Sequence, residues 1–255
     1  MKKSKFTLET EAHLILQAPK KLKGKFAPEH YIKGNGHELS KLKFLNMTVP
    51  DVRRNMTWFA KKFPGLTAEQ LFAPVENLWF ESDIFEAKSL ALIWLTKQSD
   101  EFLVAYHKPI LKWVDAVDNW AHSDTLCSVL ARLFEKIEPK LLPTYKTWNR
   151  HKNSWHRRCS MVGIYNYSYF RAKPAAFALA KSLVEPHFTA PEYYVQKAVG
   201  WTIREMYNVY PTETIKFIKN NLGQLTSIAW VAASEKLPDS VKQPLLKQRK
   251  LNRKK

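Results

Sequence analysis

Cysteine is almost missing from this chain. Cys127 and Cys159 are the only two in 255 residues, which rules out a disulfide framework and shows no metal-binding spacing. Glycine is scarce as well, at 7, and no Gly-rich phosphate loop appears. No apolar run reaches the length of a membrane span, so no membrane partner is expected. Runs of alternating polar and apolar residues joined by Asn-Gly turns are lacking, which argues against a β fold. Acidic residues are also in short supply: 23 Asp plus Glu face 41 Lys plus Arg. The N-terminal stretch MKKSKFTLETEAHL has acidic residues, Glu9 and Glu11, where a signal peptide would be apolar, and the chain is expected to be cytoplasmic.

What is present points the other way on each count. Apolar residues make up 45% of the chain, enough for a substantial core. The net charge of +18 calls for a polyanionic partner, most simply nucleic acid. A ribosome-associated or membrane-surface protein would share that balance. Helical periodicity dominates, so the expected fold class is all-α.

The punctuation of the chain supports many short helices. Phe6–Gln17 reads as the first, followed by a basic loop at Pro19–Lys25 and an irregular stretch at Tyr31–Lys43. Thr48 starts a helix that runs through Trp58 and Phe59 to Lys62, with Pro50 near its first turn and Asp51 at its positive end. Thr67–Phe80 follows with Thr67 as cap, and Phe85–Leu95 is apolar nearly throughout, as in a buried helix. Helices are then expected at Ser123–Lys136, Pro139–Asn149, Asn153–Tyr167, Pro174–Val184, Tyr193–Val209, Thr212–Asn220 and Leu225–Lys236. A last turn follows Pro238. The tail KQRKLNRKK has no apolar stripe and is expected to be disordered.

Three segments look alike: Glu86–Leu92, Arg157–Gly163 and Gln196–Trp201, each a basic residue followed by small and apolar ones. Arg158 and Lys197 lie 39 apart, and Lys88 and Arg158 lie 70 apart, near two such intervals. That is the helix-pair period of HEAT-type solenoids. The reading is a curved HEAT-like solenoid with a concave basic face. Residues 1–47 would be an N-terminal helix and basic loop packed on it, 48–240 the repeat domain, and 241–255 the basic tail.

The densest chemistry sits at Leu111–Cys127, LKWVDAVDNWAHSDTLC. Read as a helix, it carries Asp115 and Asp118 three apart on one side, with Val114 and His122 four residues either side of Asp118. Trp113, Val117 and Trp120 follow a packing face, and Ser123 is the expected cap of the next helix. The plainer reading pairs the aspartates with nearby Lys or Arg. A carboxylate on such a face can also stabilise a developing positive charge and position water. Aromatic rings can hold a cationic nucleotide, and arginine forks suit phosphate.

The segments VPDVRR (49–54), FEAKSLALIWL (85–95), VDAVDNWAHSD (114–124), SWHRRCSMVGI (154–164) and YYVQKAVGWTIRE (193–205) occur in one order. Together they resemble the AlkD-like DNA alkylation-repair glycosylases, a HEAT-repeat family, over Thr48 to Lys236. The resemblance implies a DNA glycosylase of base excision repair. It would release cationic N3- or N7-alkylated purines from duplex DNA, work as a monomer, and need no metal or organic cofactor. It would hold the duplex by its backbone. The family's essential aspartate falls on Asp118. Its DNA-contacting arginines and tryptophan fall on Arg158, Trp201, Arg204 and Arg53. One position departs. The family tryptophan four residues before the aspartate is Val114 here, with Trp113 beside it. Trp113 is the candidate replacement, although helical geometry sets it about 140° from Asp118, on the packing face. The competing readings are a non-catalytic HEAT-like module binding bent or branched nucleic acid, favoured by the change at Val114, and a protein-binding solenoid scaffold.

Overall fold

The structure is a computed structural model that describes residues 2–18, 27–33, 37 and 40–252. The basic loop expected at Pro19–Lys25 lies outside the described residues. Among those described the fold is all-α, with helices α1 (Lys5–Gln17), α2 (Pro28–Lys33), α3 (Val49–Arg54), α4 (Met56–Lys62), α5 (Ala68–Glu81), α6 (Phe85–Thr96), α7 (Asp100–Ala105), α8 (His107–Lys112), α9 (Trp120–Asn149), α10 (Ser154–Val162), α11 (Phe177–Val184), α12 (Tyr193–Val209), α13 (Pro211–Asn220), α14 (Ser227–Ala233) and α15 (Asp239–Asn252). The fold is of the helical-repeat kind. No described helix is long and apolar enough to cross a membrane.

Many starts follow from a side-chain oxygen that takes up an orphan backbone N–H. Ser4, Ser99, Asn153 and Thr226 do so for α1, α7, α10 and α14. Thr48 and Thr67 form reciprocal capping boxes with Asp51 and Gln70. The helix expected to run from Thr48 to Lys62 is interrupted. The Asn55 N–H turns back to Val52 and Arg53, and its Oδ1 accepts from His13 Nε2 at 2.8 Å. The stretch expected to be irregular from Tyr31 begins inside α2. The helix expected to reach Tyr167 stops at Val162. The expected disordered tail is helical through Asn252, because Arg249 is buried and its guanidinium donates to the Leu222 carbonyl at 2.5 Å; residues 253–255 lie outside the description.

The chain falls into two compact units, Met1–Val129 and Leu130–Lys255. In the first, α6 is buried along most of its length. Trp79 and Trp113 stack at 5.6 Å, and the Trp79 indole donates to the Trp113 carbonyl at 3.0 Å. The buried Glu86 carboxylate accepts from Leu45 N and Met47 N at 2.9 and 3.1 Å. In the second, α12 is the central helix, packed against α10, α11, α13 and α14. Gly200 permits the α12–α14 approach: a Cβ there would lie 2.3 Å from the Ala229 carbonyl oxygen. The three look-alike segments lie on α6, α10 and α12.

Candidate functional site

The expected helix from Leu111 to Cys127 is broken where the chemistry sits. Past α8, Trp113–Ala116 forms one 3-10 turn, Val117 is extended, and α9 begins at Trp120. Asn119 causes the restart. Its Oδ1 accepts the His122 N–H at 2.9 Å, so it caps α9 in place of Ser123, which is buried inside the helix. Asp118 therefore lies in the connection and does not share a helical face with Asp115.

Asp118 is half-buried and held at both oxygens. Oδ2 accepts from Ser40 Oγ and Lys41 N, each at 3.0 Å, and Oδ1 accepts from Asn119 Nδ2 at 2.9 Å. Lys88 on α6 is buried, with Nζ 4.5 Å from the Trp79 ring centre and 3.4 Å from the Ala116 carbonyl oxygen. Burial pushes its amine down to about 8, while the charge of Asp118 works against that shift. His122 Nδ1 accepts from Asn119 Nδ2, and Nε2 faces Phe85 O and Ser89 Oγ. Burial, helped by the Lys88 charge, holds this imidazole at about 3. His122 is thus a neutral link between α6 and the cap.

Trp113 corrects an expectation. It is 0% exposed, and its indole donates to Glu76 at 3.2 Å, so it presents no surface to DNA. Val114 is buried too. Arg53 is exposed on the last turn of α3. Lys88, Ser40 and Lys41 around Asp118 were not singled out from sequence. Their contacts span some 30 to 80 positions, and no local pattern encodes them.

In the second unit, Arg158, Trp201 and Arg204 come together. The Arg158 and Arg204 guanidinium carbons lie 5.8 and 5.4 Å from the Trp201 ring centre. Trp201 is half-buried, and Arg204 pairs with Glu205 at 3.2 Å and Glu235 at 2.7 Å. Arg158 was expected to reach a phosphate. Instead it is 3% exposed and donates to the Tyr194 carbonyl at 2.9 Å. Exposed cations occur elsewhere in this unit. Lys146, Arg150 and Lys152, with Thr147 and His151, line a recess of about 530 Å³. The charge run in the sequence was the available signal for it. Among the described residues, no three His, Cys, Asp or Glu side chains converge to hold a metal ion.

The family model for the DNA alkylation repair enzyme matches residues 16–237, most of the chain. The chain belongs to that family. A solved structure described as a predicted DNA alkylation repair enzyme from Enterococcus faecalis superposes with a TM-score of 0.59. It is 16% identical, and the match covers 93% of this chain and 97% of that one. At that identity the likeness shows the fold. No curated protein matches the chain in sequence. Membership in the DNA alkylation repair family makes it an enzyme class acting in DNA repair, with DNA as partner.

Proposed function

We propose that this DNA alkylation repair family member is a monofunctional DNA glycosylase acting as a monomer on duplex DNA, and that Asp118 is its catalytic carboxylate. The observation that carries the reading is Asp118 itself: half-exposed at a break between helices, with Ser40, Lys41 and Asn119 fixing its orientation. A carboxylate so held stabilises the positive charge that builds on the sugar as the glycosidic bond breaks, and it orients the attacking water. Fixed electrostatics of this type are worth ~3–4 kcal/mol.

The substrate class follows from what the turn can protonate. His122, at about 3, carries no proton to give at neutral pH, and the protonated Lys88 amine is buried over the Trp79 ring with the Ala116 carbonyl, out of reach of a departing base. Bases that leave without protonation are therefore favoured: cationic N3- and N7-alkylpurines, rather than uracil or hypoxanthine. Trp201, with Arg158 fixed beneath it, offers a ring beside the sugar–phosphate backbone. Exposed Arg53, Lys146, Arg150 and Lys152 supply phosphate contacts, each lost contact lowering the log–log salt slope by roughly 0.9.

Release of methylated bases from methylated duplex DNA tests the reading. Wild type should release N3-methyladenine and N7-methylguanine. Asp118→Asn should lose about 100-fold or more while its duplex affinity holds or rises slightly. Wild-type rates in the variant would sink the assignment. One observation favours the second reading, a non-catalytic module for bent or branched nucleic acid: Trp113 and Val114 are both buried, so neither offers a ring beside Asp118. A wild type that binds DNA and releases no base would select it.

A further inference from the structure

The loop after α10 has a feature that the reading above leaves unused. Among the described residues only four aromatic side chains are exposed, and three of them, Tyr167, Tyr169 and Phe170, fall within four positions. Tyr169 and Phe170 are 68% and 65% exposed, and their rings lie 4.3 Å apart. Tyr167 stands edge-on to Trp201 at 5.6 Å, so the patch continues into the half-buried indole.

The loop is not a slack connection. Asn166 and Tyr167 both have positive φ, 30° and 62°, a conformation non-glycine residues hold only where the surroundings impose it. The restraint is the buried carboxylate of Glu205 on α12. It accepts from Ser168 N and Ser168 Oγ at 2.8 Å on one oxygen, and from Trp201 Nε1 and Arg204 Nε at 3.2 Å on the other. One carboxylate thus sets both the loop that shows the rings and the indole beside it.

We infer that Tyr169 and Phe170, set by Glu205, form a platform that stacks an unpaired nucleobase of distorted duplex DNA. Charge argues for this occupant over a protein surface or a second copy. The segment Asn166–Lys173 has no acidic residue, and the exposed Lys173 follows three positions after the rings, while Arg171 is paired with Glu135 at 3.3 Å and neutralises the carboxylate that holds the Ala172 and Lys173 N–H groups. A ring next to a cation suits one nucleotide, base on the ring and phosphate on the amine. The rigid backbone lowers the ordering cost on binding. The inference rests on the proposed function only in taking DNA as the polymer, and it does not depend on chemistry at Asp118.

The test uses the full chain and two duplexes, one fully paired and one with a single bulged 2-aminopurine. Wild type should bind the bulged duplex about tenfold tighter or more, the scale of base–aromatic stacking, and should quench the probe. The double variant Tyr169→Ser/Phe170→Ser removes only exposed rings. It should lose that preference and the quenching, and bind the paired duplex as wild type does. Glu205→Gln should give an intermediate loss. The inference fails if wild type shows no preference, if the double variant keeps it, or if both duplexes weaken equally. It fails too if the wild type sediments as a dimer that the double variant dissolves. Asp118→Asn should retain the bulge preference. A chain that prefers the bulge but releases no methylated base therefore sinks the glycosylase reading alone.

Discussion

Lys88 in the first unit and Arg158 in the second are both buried cations laid near an indole, Trp79 at 4.5 Å and Trp201 at 5.8 Å. They differ in how the charge is kept. A guanidinium cannot lose its proton in a protein, so Arg158 needs the Tyr194 carbonyl and its two aromatic neighbours at every pH. An amine can, and burial has already moved Lys88 down to about 8. The first unit thus places a titratable charge beside the Asp118 carboxylate. The second places a permanent one beneath the half-exposed Trp201. The field near Asp118 depends on pH, and the field under Trp201 does not.

The sharpest way to break this contrast is to test whether Trp113, buried against Trp79 in the first unit, and half-buried Trp201 in the second have the different roles their burial implies. Trp113→Ala removes a fully buried ring stacked on Trp79 and should cost ~3–5 kcal/mol by denaturant titration. A small loss of stability with a large loss of DNA affinity would return Trp113 to the surface.

Lys88→Met probes the titratable charge. Below pH 8 the amine is protonated in both the folded and the unfolded chain, and the folded state bears the cost of burying it. From about 8 to 10.5 only the unfolded chain holds the proton, so wild-type stability should rise with pH across that window. The gain relative to Lys88→Met should total roughly 3 kcal/mol. A flat difference would mean that Asp118 keeps the lysine charged. Arg158→Met has no such window.

Gly200→Ala sharpens the second unit's side. The added methyl meets the Ala229 carbonyl and Ala232 Cβ, and overpacking should cost about 1–3 kcal/mol despite alanine's better helix propensity. An unchanged melting temperature would show that α14 can give way. The smallest effect is expected at Trp201. Trp201→Ala should lower single-turnover excision of cationic lesions by about 0.5–2 kcal/mol through lost cation–π contact. If stability falls by several kcal/mol with excision intact, the ring only packs.

Local signals carried much of the fold. Tyr193–Val209 begins and ends as α12 does, because its apolar stripe and the following Pro211 are all within one helix's reach. The expected break between Lys136 and Pro139 appears as the non-helical Ile137 inside α9. Thr48 and Thr67 cap helices as their side chains suggest. The motif order pointed to the family that the match over residues 16–237 supports.

The site was less legible, and the reason is range. Leu111–Cys127 has helical spacing throughout, yet Asn119 restarts the helix and Ser40 and Lys41, nearly 80 positions away, hold Asp118 in the gap. Periodicity cannot tell a buried face from a half-exposed one when both are apolar, and Trp113 went to the core because Trp79 was there to stack on. Arg158 stands beside Arg157 in a segment that reads as a basic surface. Only packing of α10 on α12 put one guanidinium under Trp201 and left the other to pair with Glu192 at 2.5 Å. Composition and spacing gave the class of fold and a polyanionic partner, since both are sums over many residues or repeats along one helix, and the family match narrowed that partner to DNA. Which few side chains meet was decided by contacts between distant helices, and no single stretch of sequence holds both sides of such a contact.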